Sequence, residues 1–219
     1  MKKILILLSF SIAIYSCKKK DDNVSQVVIA SYPTITLTGD QFYSIKTGGT
    51  IPTVSATAYD SVLRESYTPS LDASGIDNTV PGLYVVDVTA TNKYGFIGRR
   101  TVFIAVTDVD EAMDISGVYI RSGNAANVTK IKNGLYRTDN VGGAAAPANT
   151  VAYFAQLNDT TIDLPVQPTV DGDIGVRNGE HPDDYGTLIL SPSDTTFYYR
   201  LNEGGSVYGT TATRVFTKQ

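Results

Sequence analysis

Leu83-Tyr84-Val85-Val86-Asp87-Val88-Thr89-Ala90-Thr91, the turn Asn92-Lys93-Tyr94-Gly95, and the returning Thr101-Val102-Phe103-Ile104-Ala105-Val106-Thr107 decide the fold of this chain. Tyr84, Val86, Val88 and Ala90 recur every second residue, as do Val102, Ile104 and Val106. That period places each set on one face of an extended strand. β-Branched and aromatic residues favour such a pleated, half-buried surface, and Asn and Gly between the runs supply a turn. The stretch therefore predicts a hairpin closing a β-sandwich. Upstream, Ile35 and Leu37 alternate with Thr34, Thr36 and Thr38, and Val54, Ala56 and Ala58 alternate with Thr53, Ser55 and Thr57. No long run at helical spacing interrupts the pattern, so the expected class is all-β.

Downstream, Asp108–Asp114 gathers three aspartates and a glutamate before a fresh apolar start at Ile115, which reads as an acidic linker over 108–114. It separates a first domain at 33–107 from a second at 115–219. In the second, strands are predicted at Gly117–Arg121, Asn127–Lys132, Leu135–Thr138, Val151–Leu157, Thr160–Leu164, Gly186–Leu190, Thr195–Leu201 and Thr211–Thr217. Asn133-Gly134 between two of these runs is a strong hairpin signal. A terminal strand through Arg214-Val215-Phe216 that pairs with the first strand of this domain would close an antiparallel barrel; an open sandwich fits the same pattern. No repeat of solenoid period is visible.

Asp77-Asn78-Thr79-Val80-Pro81-Gly82-Leu83-Tyr84, followed by the alternating run to Asn92 and by Tyr94-Gly95, resembles a bacterial immunoglobulin-like surface module. The resemblance covers about residues 33–107 and implies a sandwich that acts as a spacer. With one cysteine and no tryptophan, the disulfide-and-tryptophan pin of antibody domains is absent.

At the amino end, Lys2-Lys3, an apolar run from Ile4 to Ile14, and Ile14-Tyr15-Ser16-Cys17 have the order of a secretion signal, too short to span a bilayer. Cys17 reads as a lipobox cysteine, acylated after removal of residues 1–16, with 17–32 as the tether. The only proposed anchor is that lipid. Lys18-Lys19-Lys20-Asp21-Asp22-Asn23 resembles the export tract that carries lipoproteins of Bacteroidetes-type bacteria to the outer face of the outer membrane. The whole arrangement, with Ile115-Ser116-Gly117-Val118-Tyr119 and Asn133-Gly134-Leu135-Tyr136, resembles poorly characterised Bacteroidetes lipoproteins, some associated with polysaccharide utilisation. That resemblance implies glycan handling, with polysaccharide and envelope transport proteins as partners.

The chain carries 18 basic and 22 acidic residues, a net charge of −4 that becomes −6 once Lys2 and Lys3 leave with the leader. Scattered basic residues on an acidic chain make nucleic acid a poor partner. A single cysteine excludes an intramolecular disulfide and a thiolate metal site.

Catalytic chemistry finds little support. The one histidine, His181, sits in the turn-rich Gly179-Glu180-His181-Pro182-Asp183-Asp184, and Gly204-Gly205-Ser206-Val207-Tyr208 lacks the second glycine of a nucleophile elbow. Zinc needs more nitrogen or sulfur ligands than the chain offers. The expectation is a non-enzyme without cofactor. Asp171, Asp173, Asp183 and Asp184 are weak calcium candidates, since that ion takes carboxylate and carbonyl oxygens. Sugar binding calls for aromatic faces with polar groups beside them. Tyr136, Tyr153, Tyr185, Tyr198 and Tyr208 are available, and alternation puts Phe197, Tyr199 and Leu201 inward with Tyr198 and Arg200 outward. The candidate ligand residues are thus Tyr198, Arg200, Tyr136, Tyr153 and Tyr185. Asp60-Ser61-Val62, Asp159-Thr160-Thr161 and Asp194-Thr195-Thr196 resemble acceptor tripeptides for O-glycosylation in exported Bacteroidetes proteins. The expected function is a non-catalytic glycan-binding accessory; the alternative is a protein-interaction module of the envelope with no sugar affinity.

Overall fold

The first half folds into two sheets. Its strands are β1 (Thr34–Leu37), β2 (Phe42–Ile45), β3 (Ala56–Asp60), β4 (Glu65–Tyr67), β5 (Ser70–Leu71), β6 (Gly82–Thr91) and β7 (Ile97–Val106). This computed structural model describes residues 30–176, 185–191, 194–210 and 212–219. The leader, Cys17 and the tether to residue 29 lie outside the described residues, as do His181, Asp183 and Asp184. One sheet has the order β1-β3-β4 and the other β2-β7-β6-β5. The predicted hairpin is β6–β7, longer than read because its second strand begins at Ile97. β2 joins β7 in parallel, Phe42 opposite Phe103 and Ile45 opposite Val106. The inward set, with Val86, Val88, Ala90, Val102 and Ile104, packs against Ile35 and Ala58 of the facing sheet.

The turn of the hairpin is fixed by Asn92. Its side-chain oxygen accepts from the backbone of Tyr94 and Phe96, both at 3.0 Å, and Gly95 takes a φ of 86° that favours glycine. The amide nitrogen of Asn92 donates to Ser31 O at 2.8 Å and to the Asp60 carboxylate at 3.0 Å. Asp60, itself inaccessible to solvent, also accepts from Ser31 Oγ at 2.7 Å and from the amides of Val62 and Leu63. Burial alone would raise its pKa; the donors of Leu63, Asn92, Ser31 and Val62 outweigh that and hold it below the usual value. A carboxylate depressed in the fold stabilises it above the unfolded pKa of about 3.9 and loses that contribution as pH falls through the folded value. Denaturant titrations stepped downward from neutral pH should therefore show an acid loss of stability that Asp60→Asn flattens; an unchanged acid limb in that variant would rule the network out as its source.

The second half contains β8 (Gly117–Arg121), β9 (Asn124–Lys132), β10 (Leu135–Thr138), β11 (Ala152–Gln156), β12 (Thr161–Asp163), β13 (Gln167–Thr169), β14 (Gly172–Gly175), β15 (Gly186–Leu190), β16 (Thr195–Arg200), β17 (Glu203–Gly204) and β18 (Thr213–Lys218). Eight of them close a barrel in the order β8-β9-β10-β11-β12-β15-β16-β18. The closing seam is the last strand on the first: Thr217 faces Ile120 and Lys218 faces Tyr119. The barrel alternative is thus the one adopted, and its ladder is closed. Tyr119, Tyr136, Phe154, Phe197, Tyr199 and Phe216 fill the interior, with ring centroids 4.7 Å apart for Tyr119–Phe197 and 5.0 Å for Phe197–Phe216. An eight-stranded barrel is wide enough for side chains to fill, and these rings fill it. Buried Arg214 donates to Gly209 O and Ala212 O and lies over the Tyr208 ring, 5.7 Å from its centroid. β13, β14 and β17 make a separate small sheet, and none of the three is among the strands predicted from sequence.

Residues 31–219 form one compact unit. The reason lies on the other face of β6 and β7. Val102 to Val106 is apolar without interruption, and its second face, Phe103 and Ala105 with Leu83, packs on Leu135 and Ala155 of the barrel. Tyr153 wedges between Phe42 and Phe103, its centroid 4.8 and 4.5 Å from theirs. Leu83 N donates to buried Asp163 at 2.7 Å, Thr107 Oγ1 to Gln156 O at 2.8 Å, and Ser44 Oγ to Asn133 O at 2.7 Å. Gly134, at φ 62°, completes the β9–β10 turn against Thr107, whose Cγ2 would stand 2.6 Å from any added Cβ. The acidic stretch 108–114 is held on both sides: Asp108 accepts from Thr47 N, while Lys130 Nζ donates to the carbonyls of Glu111 and Met113. Removing the Phe103 ring leaves a cavity in this seam, so Phe103→Ala should cost about 3–5 kcal/mol in urea unfolding. A loss below about 1 kcal/mol would show that the seam contributes little to stability.

Candidate functional site

Strand alternation places β16 as read. Phe197 and Tyr199 point into the barrel, Tyr198 is half-buried on the outer wall and Arg200 is exposed. Tyr198 stands between Thr187 on β15 and Val215 on β18, and Arg200 lies opposite Thr213. Ile189 and Val215, 50% and 48% exposed, give this wall apolar area of its own.

Tyr136, Tyr153 and Tyr208 do not join that pair. Tyr136 is fully buried, its ring stacked on Phe154 at 5.6 Å inside the barrel, so it presents no face to a ligand; the sequence reading is corrected there. β10 has both faces buried, Leu135 toward the seam and Tyr136 toward the barrel, and alternation alone does not reveal that. Tyr153 is half-buried, with its ring packed on Phe42 and Phe103. Tyr185 is half-buried just before β15. Tyr208 donates its hydroxyl to Ala148 O at 2.6 Å, a packing role.

Of the four aspartates weighed for calcium, Asp171 and Asp173 are described. The Asp171 carboxylate accepts a hydrogen bond from Thr150 Oγ1, and its carbonyl accepts from Ser206 N at 2.7 Å and Ser206 Oγ at 3.0 Å. It clamps the β13–β14 turn. Asp173 is exposed on β14. No group of three or more His, Cys, Asp or Glu side chains able to hold a metal occurs among the described residues.

What the structure brings together was not read from sequence. The outer face of the β2-β7-β6-β5 sheet is sealed against the barrel by the Phe42–Phe103–Tyr153 cluster, and a cleft opens toward each edge of that sheet. The cleft at the β2 edge, about 320 Å³, is lined by Phe42, Tyr43 and Asn133 with the exposed Lys132–Asp40 pair at 2.9 Å.

The cleft toward the β5 edge is larger, about 630 Å³, and the small sheet forms its second wall. Val85, Val166 and Pro168 give it apolar surface; Asp72, Asp87, Arg99 and Asp173 carry its charge. Asp87 accepts from Thr101 Oγ1 at 3.0 Å and from Arg99 Nη1 at 3.4 Å, and the Arg99 side chain is 59% exposed. Asp72 accepts from Ser74 Oγ at 2.6 Å and Ser74 N at 3.2 Å; those bonds, with the charge of Arg99 beside them, hold its carboxyl below the usual range. Gln167, buried, spends its amide on Tyr153 N, Tyr153 O and Pro165 O, fixing the wall. The legible signal was cross-strand register: once the turn is set at residues 92–95, Asp87 falls opposite Thr101, with Arg99 two residues before it.

No protein-family model matches the chain. No curated protein matches it. Among solved structures, the chain is similar to the crystal structure of a lipoprotein from Bacteroides thetaiotaomicron, at 18% identity and a TM-score of 0.33, over 84% of this chain and 100% of that one.

Burial raises the pKa of the Tyr119, Tyr136 and Tyr199 hydroxyls above the usual value. In the folded barrel these phenols keep their protons; unfolded, they release them near pH 10, so stability falls as pH rises beyond about 10. An alkaline absorbance titration should show them ionising only with loss of the fold. Reversible ionisation of every tyrosine in folded protein would contradict the packed interior.

Proposed function

We propose that this chain is a surface lipoprotein that captures glycans without cleaving them, in the setting of polysaccharide utilisation. Acylated Cys17 anchors it in the outer membrane with the body facing the exterior, and the first sandwich serves as an immunoglobulin-like module joined to the barrel. The observation that carries the reading is the larger seam cleft. It offers apolar surface with carboxylates and a guanidinium around it, the combination that binds a hydroxylated ring through its faces and edges. Its volume falls within the range of about 300–1,000 Å³ usual for small-ligand sites. The barrel interior is filled by its own side chains, whereas the seam cleft is open.

Glycan-array binding should be lost in Asp87→Ala and Asp173→Ala, both near the surface, with unfolding curves little changed. A protein that binds no glycan, or that hydrolyses one, would overturn the reading. Cys17→Ser should move the protein from the membrane fraction to the soluble one; retention in the membrane would remove the lipid anchor from the proposal.

A second reading, an envelope protein-interaction module, draws on the outer wall of the barrel. Ile189 and Val215, 50% and 48% exposed, stand there on the two strands that flank Tyr198. Under it, site-specific cross-linking from position 198 yields one defined envelope partner and the glycan array stays blank.

A further inference from the structure

The larger seam cleft is unbalanced in charge. Asp72 follows β5, Asp87 is on β6 and Asp173 is on β14 of the opposite wall, whereas Arg99 is the one cation among the described residues that line it. Arg99 is engaged with Asp87. Asp72 is held ionised by Ser74 and Arg99, and Asp173 has an exposed side chain on the far wall. At neutral pH the described lining of the cleft thus carries two carboxylates in excess.

Where those charges sit matters as much as their number. They do not converge on a cage that could hold a metal ion, among the described residues. They stand on separate elements around a trough with apolar surface from Val85, Val166 and Pro168. A low-dielectric trough of one sign concentrates the opposite charge, and spaced anions match spaced cations better than they match a single ion. Uronic and sulfated chains meet the reverse condition. Burying their anions beside Asp72 and Asp173 sets like charges against each other.

Resting on the glycan-capture reading, we infer that this cleft takes amine-bearing glycans, chains of hexosamine with free amino groups, and rejects acidic ones. In that arrangement sugar rings lie along the valine and proline surface. Ammonium groups face Asp72 and Asp173, while Asp87 and Arg99, neutralising each other, serve hydroxyls.

The test is calorimetric titration of the purified protein with three probes: chitosan oligosaccharides, the same oligosaccharides fully N-acetylated, and oligogalacturonate. At low salt the free-amine probe should bind about tenfold more tightly than its acetylated form, and added salt should erase most of that margin. Galacturonate should not bind. Asp72→Asn and Asp173→Asn, exposed substitutions that keep shape and remove charge, should each shrink the margin while leaving the unfolding midpoint in place. Equal or tighter binding of the acetylated or acidic probe would overturn the charge preference and leave glycan capture standing. So would silence from all three probes together with hits elsewhere on a glycan array, whereas an array with no hit removes the capture reading itself.

Discussion

Burial of one sheet on both faces governs this molecule. β6 and β7 present Val86, Val88, Val102 and Ile104 to the facing sheet, and Leu83, Phe103 and Ala105 to the barrel. Burying each large apolar side chain is worth about 1.5–3 kcal/mol, so a hairpin with two apolar faces gains from both neighbours at once. Polar pairs across the seam, Leu83 N with Asp163 and Thr107 with Gln156, satisfy groups that burial would otherwise strand. Two bodies that read in sequence as separate domains with an acidic linker between them consequently form a single compact unit.

That seam also positions the candidate site. Sealing the centre of the sheet with Phe42, Phe103 and Tyr153 leaves its flanks open, and the β13-β14-β17 sheet walls one flank into a cleft. Each wall is stiffened by bonds that no ligand needs to supply: Gln167 on Tyr153 in the small sheet, Thr101 on Asp87 in the hairpin. A recess with fixed walls binds with little ordering cost.

Much of the fold was legible because period-two patterning and turn chemistry agree. The hairpin at Asn92–Gly95, the Asn133-Gly134 turn and the inward set Phe197, Tyr199 and Leu201 all follow from local rules. Barrel closure was one of two open alternatives, since strand order is a tertiary property. The site was far less legible. Tyr136 looks like a surface tyrosine only if β10 has one solvent face, yet that strand is buried on both, while Tyr153 lies at the seam where the hairpin sheet meets the barrel. Asp72, Asp87, Arg99 and Asp173 come from four different segments and meet through the packing of two bodies. The unbroken run Val102–Val106 was the one sequence sign that a second apolar layer existed.

The way the barrel closes bears on how the chain reaches its final form. Its first strand, at Gly117–Arg121, has its closing neighbour at Thr213–Lys218, the far end of the same body. A partner so distant along the chain must be brought back against loop-closure entropy, and topologies of this kind assemble slowly. Until Thr213–Lys218 docks, β8 and β16 each keep an unpaired edge open to stray strands. Correct assembly of the barrel is therefore gated by the docking of its closing strand, Thr213–Lys218.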